Sequence, residues 1–387
     1  MDNISVVGIG KLGLCFSLSL ERAGYRVVGV DINQSYVDSI NDKTFNSSEA
    51  RVNERLTQSK NFEATTSLDK ALDHSNVVFV IVATPSLDNG RYDHSQIEDL
   101  VEELIARGPQ DEVKHLVMNC TTMPGYCEAL GQKLAVYNWT VSYNPEFIAQ
   151  GTIIRDQENP DMVLIGEATS MVGNLLEDIY DRMTDNSPRV CRMTPTEAEI
   201  TKISLNCFLT TKIAYTNMIG DIVKASGGRP QTVLDAIGAD SRVGKKLTRY
   251  GFGYGGPCFP RDNRALGIYA TDIHVAADIS DATDEMNRKH LTFQLQDYMS
   301  NNPKEESATL AFGQHDKSDY SDEITVWFES VTYKEGSTMI EESQQLEFAV
   351  GLAYGGYEVL ISDVQEVVET VQALYGDLFL YEVRKQS

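Results

Sequence analysis

Short apolar runs alternate with longer mixed segments along the first half of the chain. Residues 4–7 form such a run, a glycine turn follows, and an apolar-periodic segment extends to about residue 23. A second run, 27–30, ends at Asp31. Brief runs rich in β-branched residues and bounded by turn signals predict buried strands, and the 3.6-residue period between them predicts a helix. The alternation continues with expected strands at 77–83, 116–119 and 140–143, and the sheet extends through 163–165 and 190–191. Strands alternating with helices predict an α/β fold with a doubly wound, mostly parallel sheet.

A different pattern takes over at Thr194-Pro195-Thr196-Glu197, which has the proline and acid of a helix start. The helix predicted to follow, to about residue 226, carries Ile200, Ile203, Phe208, Ile213, Tyr215, Met218 and Ile222 on more than one stripe. Such a helix is buried on several sides, inside a domain or against a second subunit. Lys202 and Asn206 are four residues apart and share one face. After the break Gly227-Gly228-Arg229-Pro230, a short helix is expected around 233–237 and one helical segment over 263–298. Residues 301–307 resemble a linker, and a smaller α/β unit follows, with strands at 309–312, 324–328 and 357–361 and an acidic loop at 315–323. The expected domains are therefore 1–193, a Rossmann-type doubly wound α/β domain; 194–300, a central helical region; and 301–387, a short C-terminal α/β domain.

The first glycine turn is Gly8-Ile9-Gly10-Lys11-Leu12-Gly13. Between a strand and a helix this spacing supplies a tight turn, close backbone approach to a pyrophosphate, and close helix packing. The helix N-terminus adds partial positive charge for the phosphates. Asp31 follows Gly13 by 18 residues and suits the ribose hydroxyls, which predicts NAD. Ligands of open α/β sheets sit beyond the carboxyl ends of the strands. Thr84-Pro85, Thr122 and Glu146 all fall just after predicted strands. The second glycine-rich stretch, Gly251-Phe252-Gly253-Tyr254-Gly255-Gly256-Pro257-Cys258-Phe259-Pro260-Arg261-Asp262, puts one cysteine behind four glycines, with a cation three residues on. A thiolate is a nucleophile, and a nearby cation favours it.

The net charge of −24 disfavours nucleic acid and anionic membrane as partners. An anionic substrate then needs a local basic patch, and Arg242, Lys245, Lys246, Arg249, Arg261 and Arg264 provide one around the second glycine stretch. No apolar run approaches the ~18 residues of a membrane span. The six cysteines show no metal-ligand spacing and no export signal precedes them, which predicts free thiols in the reducing cytoplasm and no metal.

These motifs together resemble the UDP-glucose/GDP-mannose dehydrogenase family from residue 1 to about 290. The resemblance is carried by the glycine fingerprint with Asp31, Thr84-Pro85, Thr122-Met123-Pro124, Asn144-Pro145-Glu146-Phe147, Pro160-Asp161, Lys202 with Asn206, Arg242-Val243-Gly244, and the run from Gly255 to Asp262. It implies oxidation of a nucleotide sugar's primary alcohol to a carboxylate with two NAD. UDP-glucose is the first expected substrate, with GDP-mannose or another nucleotide sugar as the alternative. The resemblance makes Cys258 the nucleophile that forms a thiohemiacetal and then a thioester. It makes Lys202 and Asn206 the stabilisers of oxyanion charge. Thr122 and Asp262 position water or take the first proton, and Glu146 is general base for thioester hydrolysis.

The resemblance also puts Phe147, Ile148, Phe252, Gly253, Tyr254 and Gly255 against the sugar nucleotide, along with Glu146, Lys202 and Asn206. Arg242 reaches that site from the neighbouring subunit of a homodimer. NAD is implied to contact Gln150 and Arg261 in addition to Lys11, Leu12, Thr84, Pro85 and Thr122. The family usually has Glu where Gln150 stands and Lys where Arg261 stands. Where it carries an arginine in the C-terminal domain, this chain has Glu341. That last departure keeps open a protein that binds NAD or nucleotide sugars without turnover.

Overall fold

The structure is a computed structural model and describes residues 3–148, 151–303, 311–312 and 325–384. Gln150 and the expected acidic loop at 315–323 lie outside the described residues. The chain divides into two compact units, Met1–Lys202 and Ile203–Ser387.

Eight strands build the sheet of the first unit: β1 (Asn3–Val7), β2 (Arg26–Val30), β3 (Phe62–Thr65), β4 (Val77–Val80), β5 (Lys114–Met118), β6 (Trp139–Tyr143), β7 (Met162–Gly166) and β8 (Arg189–Met193). Their order is β3-β2-β1-β4-β5-β6-β7-β8. The first six are parallel and follow the order of a dinucleotide-binding sheet. β7 meets β6 antiparallel, and β8 runs parallel to β7. β4 is apolar throughout because the sheet is covered on both faces there; all four of its residues are fully buried. β4 ends at Val80, short of the expected residue 83, although the Ile81 N–H still donates to Val7 O (2.7 Å).

In the second unit the long helix, Pro195–Ala225, continues from the first, and helices Pro230–Ala239, Phe259–Asp272 and Asp278–Asn301 follow. A four-stranded parallel sheet has the order β12-β11-β10-β9, from β9 (Ala311–Phe312), β10 (Thr325–Phe328), β11 (Glu358–Asp363) and β12 (Leu380–Val383). Its core receives Leu291, Leu295 and Tyr298 from helix Asp278–Asn301.

The single helical segment expected over 263–298 is instead two helices, and the first begins at Phe259. His274 adopts a left-handed φ of 59°, and the Val275 N–H turns back to Ala270 O (2.8 Å). This closes the helix as a glycine would, without a glycine to signal it. The earlier start puts Pro260 in the first turn, where its missing N–H costs nothing.

Candidate active site

The glycine fingerprint has the geometry its spacing predicts. Gly8 has φ 90°, and a Cβ there would lie 2.4 Å from Ile81 O. A Cβ at Gly13 would lie 1.9 Å from Gly8 O, so helix Lys11–Arg22 packs against the turn only through glycine. A Cβ at Gly10 would meet nothing within 4 Å: this glycine faces open space at the helix N-terminus. No side chain caps that terminus and no acid occupies its first turn. Lys11 and Leu12 form the first turn itself. An open, uncapped N-terminus behind a glycine fits a dinucleotide pyrophosphate. Asp31 directly follows β2, its carboxylate accepting from the Asn33 N–H (3.0 Å). Thr84 is buried beyond β4, and Pro85 O accepts from the Asp93 N–H (2.8 Å).

Glu146, Phe147 and Lys202 come together in the first unit. Lys202 Nζ donates to Glu146 O (2.6 Å) and stands 4.4 Å over the Phe147 ring. The Glu146 carboxyl oxygen Oε1 is buried with no hydrogen-bond partner. Burial pushes the carboxyl up to about 7, while a hydrogen bond from Asn119 and the Lys202 charge pull the other way. A carboxyl poised there suits a general base near neutral pH. Ile148 is half-buried at the end of the same segment.

Thr122 is fully buried and its hydroxyl donates to Glu199 Oε1 (2.8 Å). Glu199 also accepts from the N–H groups of Gly125 (2.6 Å) and Cys127 (2.9 Å), at the start of helix Tyr126–Leu134. Burial raises the Glu199 carboxyl, and these hydrogen bonds oppose the rise. Sequence reasoning passed over Glu199. Its one signal was an acid three residues before Lys202 on a largely apolar helix.

In the second unit Cys258 is the N-cap of helix Phe259–Asp272 and is exposed, whereas Cys15, Cys120, Cys127 and Cys207 are buried. Burial pushes the Cys15 and Cys207 thiols up to about 12. Cys258 is therefore not the small buried hydrophobe that a lone cysteine most often is. Asp262, one turn on, is buried; its N–H donates to Cys258 O (2.8 Å), and its carboxylate accepts from Asn206 Nδ2 (2.6 Å). Arg261 Nε lies 3.4 Å from Asp262 Oδ1. The structure thus gathers Cys258, Asp262, Asn206 and Arg261. Lys202 and Asn206 are one turn apart on the long helix.

The glycine stretch lies against segment 333–344. The Gly256 N–H donates to Glu341 O (2.9 Å), and a Cβ at Gly255 would lie 2.1 Å from Glu342 O. Phe252 is exposed at its edge, with its ring against Phe348 (5.6 Å). Arg242 is paired with Asp240 (2.7 Å) at the surface, and Arg264 is paired with Glu342. The expected basic patch is thus partly neutralised by acids from outside its span. Among the described residues no group of three or more His, Cys, Asp or Glu side chains could hold a metal. No helix there is long and apolar enough to cross a membrane.

Comparison with known proteins agrees with this geometry. Residues 2–184 match the NAD binding domain of the UDP-glucose/GDP-mannose dehydrogenase family, and residues 196–289 match its central domain. GDP-mannose 6-dehydrogenase of Pseudomonas aeruginosa is 30% identical over 376 residues, 93% of this chain and 80% of that protein. UDP-glucose 6-dehydrogenase of Haloferax volcanii is 30% identical over 304 residues, 73% of this chain and 70% of that protein. A solved UDP-glucose dehydrogenase from Pyrobaculum islandicum superposes with a TM-score of 0.84 at 25% identity, covering 100% of this chain and 86% of that one. With the glycine turn open for NAD and both family domains matched in order, the chain belongs to the UDP-glucose/GDP-mannose dehydrogenase family of NAD-dependent nucleotide-sugar oxidoreductases.

Proposed function

We propose that the chain oxidises UDP-glucose to UDP-glucuronate by two hydride removals. When bound, NAD accepts each hydride, one per NAD molecule. The observation that carries the reading is Cys258: an exposed thiol at a helix N-terminus, one turn before a buried Asp262 held by Asn206. The sugar alcohol first loses a proton and a hydride to give the aldehyde, with Thr122 and Asp262 assigned to that proton or to a water. The Cys258 thiolate adds to the aldehyde carbon. Partial positive charge at the helix N-terminus supports the anionic sulfur. Lys202 and Asn206 stabilise the oxyanion. Loss of the second hydride leaves a thioester. Water deprotonated by Glu146 then displaces the thiol and releases the carboxylate. The matches to two UDP-glucose dehydrogenases favour the uridine substrate. A second reading, GDP-mannose, is favoured by the 30% identity over 93% of the chain with a GDP-mannose 6-dehydrogenase.

The working unit in this reading is a homodimer. Phe208, Tyr215 and Ile222 are 68%, 53% and 56% exposed at seven-residue spacing on the long helix, a stripe suited to a second copy. The reading places the enzyme in the cytoplasm, where its six free thiols stay reduced. The decisive test is NADH yield per nucleotide sugar. Two NADH per UDP-glucose is the expected result. One would mean a simple alcohol dehydrogenase, and none with any nucleotide sugar would mean a binding protein.

A further inference from the structure

A glycine-rich loop has few side chains to hold it, so its backbone groups must be fixed from outside. The partners of residues 251–254 are unusually specific. The Gly251 N–H donates to Asn217 Oδ1 (3.3 Å), and Asn217 Nδ2 donates to Phe252 O (3.3 Å). Gly251 O accepts from His290 Nε2 (2.6 Å) and Gln294 Nε2 (3.1 Å). The Tyr254 N–H donates to Asn287 Oδ1 (3.0 Å), and Asn287 Nδ2 donates to Tyr254 O (2.9 Å). The Tyr254 hydroxyl donates to Asp284. His290 is itself braced, with Nδ1 2.9 Å from Asp221 Oδ2.

Four of these side chains, Asp284, Asn287, His290 and Gln294, belong to helix Asp278–Asn301. Their spacing of three, three and four residues puts them on one stripe. Buried helix faces are ordinarily apolar. This one is polar, with Asn287 8% and His290 1% exposed, and Asn287, His290 and Gln294 each turn a polar atom onto the loop backbone. Asn287 completes both main-chain groups of one residue, as a neighbouring strand would. The fit leaves no slack: a Cβ at Gly253 would lie 2.1 Å from Asn287 Oδ1.

We propose that Asn287, backed by His290, is a positioning residue that holds the 251–254 loop in the shape that receives the sugar nucleotide. The inference rests on the proposed contact of Phe252 to Gly255 with that substrate. Asn287 acts on the loop alone, so its loss changes use of the sugar nucleotide and leaves use of NAD intact.

The test is initial-rate kinetics of the full chain against UDP-glucose and NAD separately, with GDP-mannose substituted if that is the sugar turned over. Thermal midpoints are recorded alongside. Asn287→Asp keeps the acceptor for the Tyr254 N–H and loses the donor to Tyr254 O. A buried carbonyl left unpaired raises the sugar-nucleotide KM about tenfold. The NAD KM stays within about twofold. Asn287→Ala has the larger effect. Gly253→Ala, which displaces the loop from the other side, reproduces the same split if Asn287→Ala fails to fold. Folded Asn287 variants with unchanged sugar-nucleotide KM, beside a Gly253→Ala that raises it, would overturn the inference alone. An unchanged KM in Gly253→Ala as well would remove the loop from the substrate site and end both readings. Equal rises in both KM values with a lowered thermal midpoint would make Asn287 merely structural and overturn the inference.

Discussion

Burial brings the Glu146 carboxyl into the range where it titrates near neutral pH. Its pKa rises from an ordinary 4.5 to about 7, chiefly through burial. That rise corresponds to roughly 3 kcal/mol of penalty on the ionised form in the folded state. In the proposed role of general base, Glu146 acts only when ionised, so thioester hydrolysis should climb with pH and level off above 7. At pH 6 about a tenth of the carboxyls are ionised, and hydrolysis should run about tenfold below its plateau. A base left at the ordinary value would be almost fully ionised at pH 6 and show no such limb. Lys202 lowers the Glu146 value, so Lys202→Met should move the limb to higher pH. The same shift has a stability consequence. A raised acid favours the folded state below 4.5 and loses that advantage as pH climbs through 7. Glu146→Gln should therefore raise the thermal midpoint at pH 8 and not at pH 4.5. The assay is a single turnover with UDP-glucose and NAD, acid quench, and intact-protein mass of the Cys258-linked adduct against time and pH. Adduct decay at pH 6 within twofold of that at pH 8, or an unchanged limb in Glu146→Gln, would refute the reasoning.

Asp31→Ala should weaken NAD use and reduce discrimination against NADP, because a carboxylate at the end of β2 repels a 2′-phosphate; kcat/KM for both cofactors measures it. Cys258→Ala should abolish conversion to the acid while leaving nucleotide-sugar affinity within about threefold, the mark of an interaction made along the reaction path. Isothermal titration and product analysis check this pair, and near-wild-type acid formation would make the cysteine structural. Tyr215→Glu places a charge in the centre of the exposed stripe and should shift the mass by light scattering from dimer to monomer; a wild-type chain already monomeric removes the premise.

What the sequence disclosed follows physical lines. Central strands were visible because burial on both faces makes them continuous apolar runs, as in Val77-Val78-Phe79-Val80. The edge strands β3 and β12 were not. Phe62-Glu63-Ala64-Thr65 buries only Ala64 fully, and Leu380 to Val383 buries nothing fully, so neither needs an apolar run. The break after Asp272 was hidden because His274 takes the left-handed turn that a glycine would have announced. Cys258, Asp262, Lys202 and Asn206 were legible as local spacings. Glu199 was not, since its partner Thr122 lies 77 residues away. Asp284, Asn287 and His290 carried no local signal either, since their partners Tyr254 and Gly251 lie 30 to 39 residues away and only the fold brings them together.

The two glycine-rich stretches look alike in sequence and differ in what their glycines serve. In the nucleotide turn, Gly8 and Gly13 make room for the chain itself, while Gly10 faces open space where a ligand fits. In the stretch before Cys258, a Cβ at Gly253 would strike Asn287, at Gly255 the Glu342 carbonyl, and at Gly256 the Tyr333 ring. Only Gly251 there meets nothing within 4 Å. The glycines of the second stretch therefore record close approach to protein, from the polar helix on one side and segment 333–344 on the other. A loop so enclosed has its shape set by its neighbours rather than by its own flexibility. For the nucleophile role proposed for Cys258 that is the necessary condition, because a thiol on a freely moving glycine tether would lose the orientation on which covalent catalysis depends. The glycines and the buried polar stripe are thus two halves of one device: the first allows the backbone to come close, and the second gives it hydrogen bonds when it arrives.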